Sequence, residues 1–230
     1  MSSNSISISD SVVSPQPSES RSLSETLHSW IITVDHKKLG LMYIGLALFF
    51  LVLGGLEAAV LRLQLAVPHA HFVSPQVFNR MFTMHGTTMI FFVAMTILFG
   101  FGIYLVPLMI GTRDMAFPRL NAWGFWMSAF GGLLLYFSFV GGDGLYGAGT
   151  APDVGWWAYS PLTSRAFSKG HSTDYWTIAL LVAGFGTLAT GVNFVATILS
   201  GPATVSTSAG PGDGFYPPWS GGADAVVLVE

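Results

Sequence analysis

An all-α membrane protein with four transmembrane helices is the fold class this sequence predicts, on three observations. Only 9% of its 230 residues are charged, against about 25% in soluble domains. The hydrophobic share is 51%, and the apolar residues gather into four runs, each long enough for a bilayer crossing of about 20 residues. The runs are unbroken, whereas barrel strands alternate in polarity over about 10 residues, so the spans are helices. The net charge of −3 is too small to point to nucleic acid or another strongly charged partner. There is no cysteine, hence no disulfide framework and no thiolate metal site. A metal here would be held by His, Met, Asp, Glu or backbone.

The elements follow in chain order. Residues 1–27, opening "MSSNSISISDSVVSPQPSES", are Ser-rich without the apolar core of a secretory signal. They are expected to be a disordered tail, because they bury too little apolar surface to offset ordering entropy. The first span, 39–61, carries one charge, Glu57. The second, 81–110, carries one ionisable side chain of interest, His85. The third is 120–140 and the fourth 175–199. Gly and small residues within the spans suit close helix packing. Arg21, Lys37 and Lys38 precede the first span, and Arg113 and Arg119 lie in the short link between the second and third. Arg62, Arg80, Arg165 and Lys169 fall on the opposite side. This balance favours the N-terminus inside. The long connection 141–173 is rich in Gly, Trp and Tyr, a length that is functional or disordered in a compact fold. Residues 201–230 form a Gly/Pro/Ala-rich tail with no spanning run.

Few residues in these spans carry chemistry. His85 falls about four residues into its span, roughly 6 Å below the outer start. An ionisable group at membrane depth is a functional candidate. Imidazole is also the common axial ligand of haem iron. Its position fits a ligand, and on position alone fits better a histidine bonded within a helix bundle. Gly86 beside it leaves room for a flat macrocycle. Arg62 closes the first span, as a snorkelling cation or as a partner for a polar substituent at the depth of His85. Glu57 is a proton-handling acid or a poorly spaced partner for Arg62. Asp114, Asn121 and Asn193 share one face of the membrane. An acid at a mouth with amides behind it suits a water-filled proton path, though spacing alone fits better a turn acid with cross-helix amides. His69 and His71 are metal-capable but lie in a polar loop. His28, His36 and His171 are expected to be solvated.

Several stretches together resemble one family. "TVDHKKLGLMYIG", "RMFTMHGTTMIFF", "LVPLMIGTRDMAFPRLNAWGFW", "GGLLLYFSF", "GWWAYSPLT" and "GVNFVATIL" are similar to the first four of the twelve helices in subunit I of haem–copper terminal oxidases, most like the cytochrome c oxidase type. The resemblance covers 28–200. It implies that His85 is an axial ligand of a low-spin haem of a or b type, that Arg62 contacts a substituent of that haem, and that Trp156 stands near its propionates. It also implies that Asp114, Asn121, Asn193 and Tyr43 line the D proton path. Gln64 stands where many members carry a glutamate of an outer cation site, so no cation is expected there. Gly186 and Thr187 replace a serine pair of the upper path. A bacterial-type plasma membrane or equivalent respiratory membrane, oxidase subunits II and III, and cytochrome c or quinol as electron donor are the implied location and partners, with surrounding lipid and no nucleic acid.

The family continues past Ser200 into further helices. These carry the second axial ligand, the oxygen-reducing haem, the copper histidines and the acid at the head of the path. The expectation is therefore the N-terminal part of a cytochrome c oxidase subunit I, with no copper ligands, cut short by a frameshift or incomplete gene model and inactive alone, or the front half of a split subunit. The composition of 201–230 favours the frameshift. A non-catalytic membrane protein is the alternative outside the class; broken helices and paired repeats, which mark a transporter, are absent from the sequence. Quinol oxidase and nitric oxide reductase are the alternatives within the class, and "TRDMAFPRLN" fits an oxidase better.

Overall fold

The computed structural model describes residues 22–141 and 151–200. The expectations for 1–21, for 142–150 of the long connection and for 201–230 lie outside these residues. Among the described residues every regular element is helical: α1 (Leu23–Ile31), α2 (His36–Gln64), α3 (Pro75–Thr87), a π-helical stretch (Thr88–Ala94), α4 (Met95–Ile110), α5 (Pro118–Gly141) and α6 (Ser172–Ser200). Four helices are long and apolar enough to cross a membrane, with α3, the π stretch and α4 forming a single 36-residue helix.

α1 stands as a unit by itself, apart from the body that begins at Thr33. It corrects the expectation of a disordered tail to residue 27. The Ser22 hydroxyl accepts from the Glu25 N–H, and the Glu25 carboxylate accepts from the Ser22 N–H at 3.0 Å. This reciprocal cap starts a helix where composition alone argues for none.

The spans run past their apolar cores. α2 begins at His36, capped by Asp35, whose carboxylate accepts from the Lys37 N–H at 2.8 Å. α3 begins at Pro75 and not at 81. Ser74 caps it and a proline fills the first turn, where its missing N–H has no helical partner to lose. His85 consequently lies about ten residues into its helix, roughly 15 Å from the start and not 6 Å. Residues 88–94 take one wide π turn, and α4 ends at Gly111 in the left-handed conformation, φ 75°.

Two crossings of small residues bring the helices together. A Cβ on Gly124 of α5 would stand 3.1 Å from the Gly186 carbonyl of α6, and one on Gly40 of α2 would stand 2.9 Å from the Gly100 carbonyl of α4. The backbones touch there, as small residues permit between membrane helices. Leu39, Tyr43, Ile103 and Phe125 form one apolar layer. Phe50, Met84, Phe92, Leu135 and Trp176 belong to a second. Outward faces carry exposed Leu and Phe, including Leu48, Phe49 and Phe130. His36, the link 111–117 and the last turns of α6 meet at one end, through the His36–Asp114 and Phe117–Asn193 contacts. The loop 65–74 closes the other end. Gln64 gives its amide N–H to the Ala70 carbonyl at 2.6 Å and takes the Val73 N–H at 2.8 Å. A neutral amide that both donates and accepts thus holds this loop.

Candidate functional site

Two polar layers lie on either side of the Phe50–Phe92–Leu135 packing. The first surrounds His85. Its Nδ1 is 2.9 Å from the Gly54 carbonyl of α2. A carbonyl only accepts, so Nδ1 carries the proton and Nε2 keeps its lone pair. This second contact fixes both tautomer and ring direction, which is what a metal-binding imidazole requires. Gly54 sits where a Cβ would meet Met89 Sδ at 3.0 Å and Thr88 Cγ2 at 3.2 Å. Its bareness lets α2 and the start of the π stretch approach closely.

The residues behind His85 are tied to one another. Thr83 donates to the Asn79 carbonyl and accepts from the Gly155 N–H, each at 2.9 Å. Thr87 donates to the Thr83 carbonyl at 2.8 Å and accepts from the Trp176 indole N–H at 2.9 Å. Thr88 and Tyr136 share a hydrogen bond of 3.0 Å. The Gly155 contact delivers Trp156 to α3, where its Cβ and Cδ1 lie 3.0 Å from where a Cβ on Gly86 would stand. The sequence suggested that Gly86 leaves room for a macrocycle. The structure corrects this: the room is filled by Trp156.

His85 and Trp156 are thus brought together. Arg62 is exposed in the last turn of α2, about two turns beyond Gly54. Glu57 does not pair with Arg62. It is buried beside Tyr136, and neither of its carboxyl oxygens has a hydrogen-bond partner. Among the described residues no three His, Asp or Glu side chains gather to hold a bare metal ion. A lone, oriented imidazole fits iron that already sits in a macrocycle.

The second layer surrounds Asp114. Its carboxylate accepts from the Met115 N–H at 2.7 Å and lies 3.3 Å from His36 Nδ1. His36 was expected to be solvated and is buried instead, with no partner for Nε2. It opens α2, and that turn packs under the 111–117 link. The two line a cavity of about 570 Å³ with Lys37, Arg113 and Thr197. Asn193 clamps the link: its carbonyl accepts from the Phe117 N–H at 2.9 Å, and its amide N–H donates to the Phe117 carbonyl at 3.1 Å. Asn121 is fully buried, with neither amide atom bonded. Tyr43 shares a 3.2 Å hydrogen bond with Thr190, and Ser128 lies beside its hydroxyl.

Sequence reasoning missed the role of His36, Thr190 and Ser128 here, and of Thr83 and Trp176 in the first layer; Thr87 and Thr88 were readable as hydroxyls able to bond backbone or ring partners. A signal existed for one of the missed residues. Thr190, Asn193 and Thr197 recur at helical spacing on an otherwise apolar span.

Comparison with known proteins adds the following. Residues 38–210 match the family model described as cytochrome c and quinol oxidase polypeptide I. The chain is 46% identical to cytochrome c oxidase subunit 1 of Bacillus subtilis (strain 168) over 183 residues, covering 79% of this chain and 28% of that protein. It is 46% identical to quinol oxidase subunit 1 of the same organism over 170 residues, covering 74% of this chain and 25% of that protein. Against cytochrome c oxidase subunit 1 of Corynebacterium efficiens the identity is 42% over 173 residues, 74% of this chain and 29% of the relative. The chain therefore spans under a third of the length of each of these relatives.

Proposed function

We propose that this chain, which belongs to the cytochrome c and quinol oxidase polypeptide I family, supplies the first four spans of a cytochrome c oxidase subunit I, with a haem-binding site at His85 and a proton path opening at Asp114. The observation that carries the reading is the His85–Gly54 contact of 2.9 Å, which leaves Nε2 as the free nitrogen of an oriented ring. The low-spin haem, when bound, supplies a one-electron relay. His85 holds it and sets its orientation through α2. Trp156, seated on Gly86, borders the propionate region, and Arg62 offers a cation to a ring substituent.

On the other side, Asp114 collects protons from the cavity it shares with His36. Asn121 holds water on its unbonded amide, since buried polar groups without protein partners are where structural water sits. The path continues past Tyr43 and Thr190, whose hydroxyls stand in for the serines replaced by Gly186 and Thr187. In this reading Asn193 orders the mouth by clamping Phe117. The N-terminus faces the inside of a respiratory membrane. The second axial ligand, the second haem, copper and oxygen chemistry belong to spans beyond these, with subunits II and III as partners. Cytochrome c is the donor; quinol is the second reading, because relatives named for both are equally similar.

The test is His85→Ala in the oxidase purified from its own membranes. The low-spin haem band of the reduced-minus-oxidised spectrum disappears if the reading holds; an unchanged band overturns it. Asp114→Asn then slows proton uptake without loss of haem.

A further inference from the structure

α1 precedes the four spans. Its nine residues, "LSETLHSWI", place Leu23, Leu27, Trp30 and Ile31 on one stripe and Ser24, Glu25 and His28 on the other side. None is buried: Leu23 is 85% exposed, Leu27 64% and Ile31 53%. A helix this short is marginal in water on propensity alone. The Ser22–Glu25 capping box holds its first turn but does nothing for the stripe. An exposed apolar stripe on a capped helix requires a cover.

The chain itself says where that cover is. Only residues 32–35 separate Ile31 from His36, where a membrane-spanning helix begins. Four residues reach at most about 14 Å, so the stripe is tethered within reach of the headgroup layer. Ile32 and Val34, in that short connection, are also apolar and exposed. The helix has no Lys or Arg, so the contact needs no anionic lipid; it is apolar burial of the kind that holds amphipathic helices at an interface. Trp30 near its end is of the residue type that favours that depth.

We propose that α1 is an interfacial helix lying along the lipid surface. Leu23, Leu27 and Ile31 enter the acyl boundary, and Ser24, Glu25 and His28 face water. This inference rests on α2 crossing the membrane and stands apart from the oxidase reading.

The absence of cysteine from the whole sequence provides a clean labelling background. Single variants Leu27→Cys and Glu25→Cys of the full chain, carrying a nitroxide label in phosphatidylcholine vesicles, are compared for collision with oxygen, which concentrates in lipid, and with a water-soluble nickel chelate. Leu48→Cys, on the exposed face of α2, reports separately whether that helix spans. The expected result is a several-fold preference for oxygen at positions 27 and 48 and for nickel at 25. Nickel access at 27 equal to that at 25 overturns the proposal in favour of a helix in water. Exclusion of both reagents at 27 overturns it in favour of a protein cover. Loss of oxygen preference at 48 removes the premise.

Discussion

At the His85 end, Thr83 and Thr87 each give a proton to a carbonyl of their own helix and take one from a distant group, the Gly155 N–H and the Trp176 indole. At the Asp114 end, the equally buried Asn121 side chain has no hydrogen-bond partner, and His36 Nε2 is likewise bare. Buried polar side chains of one bundle are thus satisfied around Thr83 and Thr87 and left unsatisfied at Asn121 and His36. A buried donor or acceptor without a partner costs about 1–3 kcal/mol, a cost that the bonded threonines avoid and that a water at Asn121 would offset. On the function proposed above, one layer would hold a ring and a loop still, and the other would admit mobile hydrogen-bonding molecules. Both layers have exceptions. Glu57 and the Thr173 hydroxyl are bare toward the His85 end, and Asn193, Tyr43, Thr190 and Thr197 are bonded toward the Asp114 end.

The largest effect is expected from Thr87→Val. The change removes the acceptor of the Trp176 indole and the donor to the Thr83 carbonyl while keeping the shape. A buried indole N–H is left unpaired, at about 1–3 kcal/mol. Denaturant unfolding in detergent measures it, and Thr87→Ser, which restores the hydroxyl, should recover most of the loss. Equal stability of the valine variant would mean that the layer is not sealed.

Gly86→Ala sharpens the comparison from a different side. A methyl there meets Trp156 at 3.0 Å, and the indole must yield by a few tenths of an ångström. Overpacking of this sort costs about 1 kcal/mol, at the lower end of its range. The Trp156 loop is expected to move while the bundle holds. A shift in the low-spin haem band with only a small change in stability is the expected pair of readings.

How much of this was legible beforehand depends on the reach of each interaction. The four spans were readable because apolar runs are local, and His85 because an imidazole in such a run is conspicuous. The start of α3 carried a readable mark, Ser74 followed by Pro75, that the search for apolar runs passed over. α1 carried Ser22 and Glu25, outweighed by the serines around them. His36 was misjudged because its burial depends on the 111–117 link, far along the chain. The pairing of Thr87 with Trp176 and of Thr83 with Gly155 joins residues on different helices and loops, and no periodicity within one segment encodes it. Hydroxyls that bond across helices look, in sequence, like hydroxyls that bond to their own helix.

Asn121→Leu is the smallest expected change in stability and the most discriminating one. Leucine matches the amide in size and fills a site where neither polar atom meets a protein group. Exchanging a polar group without a protein partner for an apolar one of similar shape is close to neutral, so the unfolding midpoint should move by less than about 0.5 kcal/mol. If Asn121 anchors water on the proposed proton path, proton uptake by the oxidase should slow while the low-spin haem band stays in place. A loss of stability as large as that of Thr87→Val would make Asn121 a structural amide and erase the difference between the layers. Unchanged stability with unchanged proton uptake would leave the layers distinct but place the path elsewhere, with Tyr43 and Thr190 as the next pair to remove.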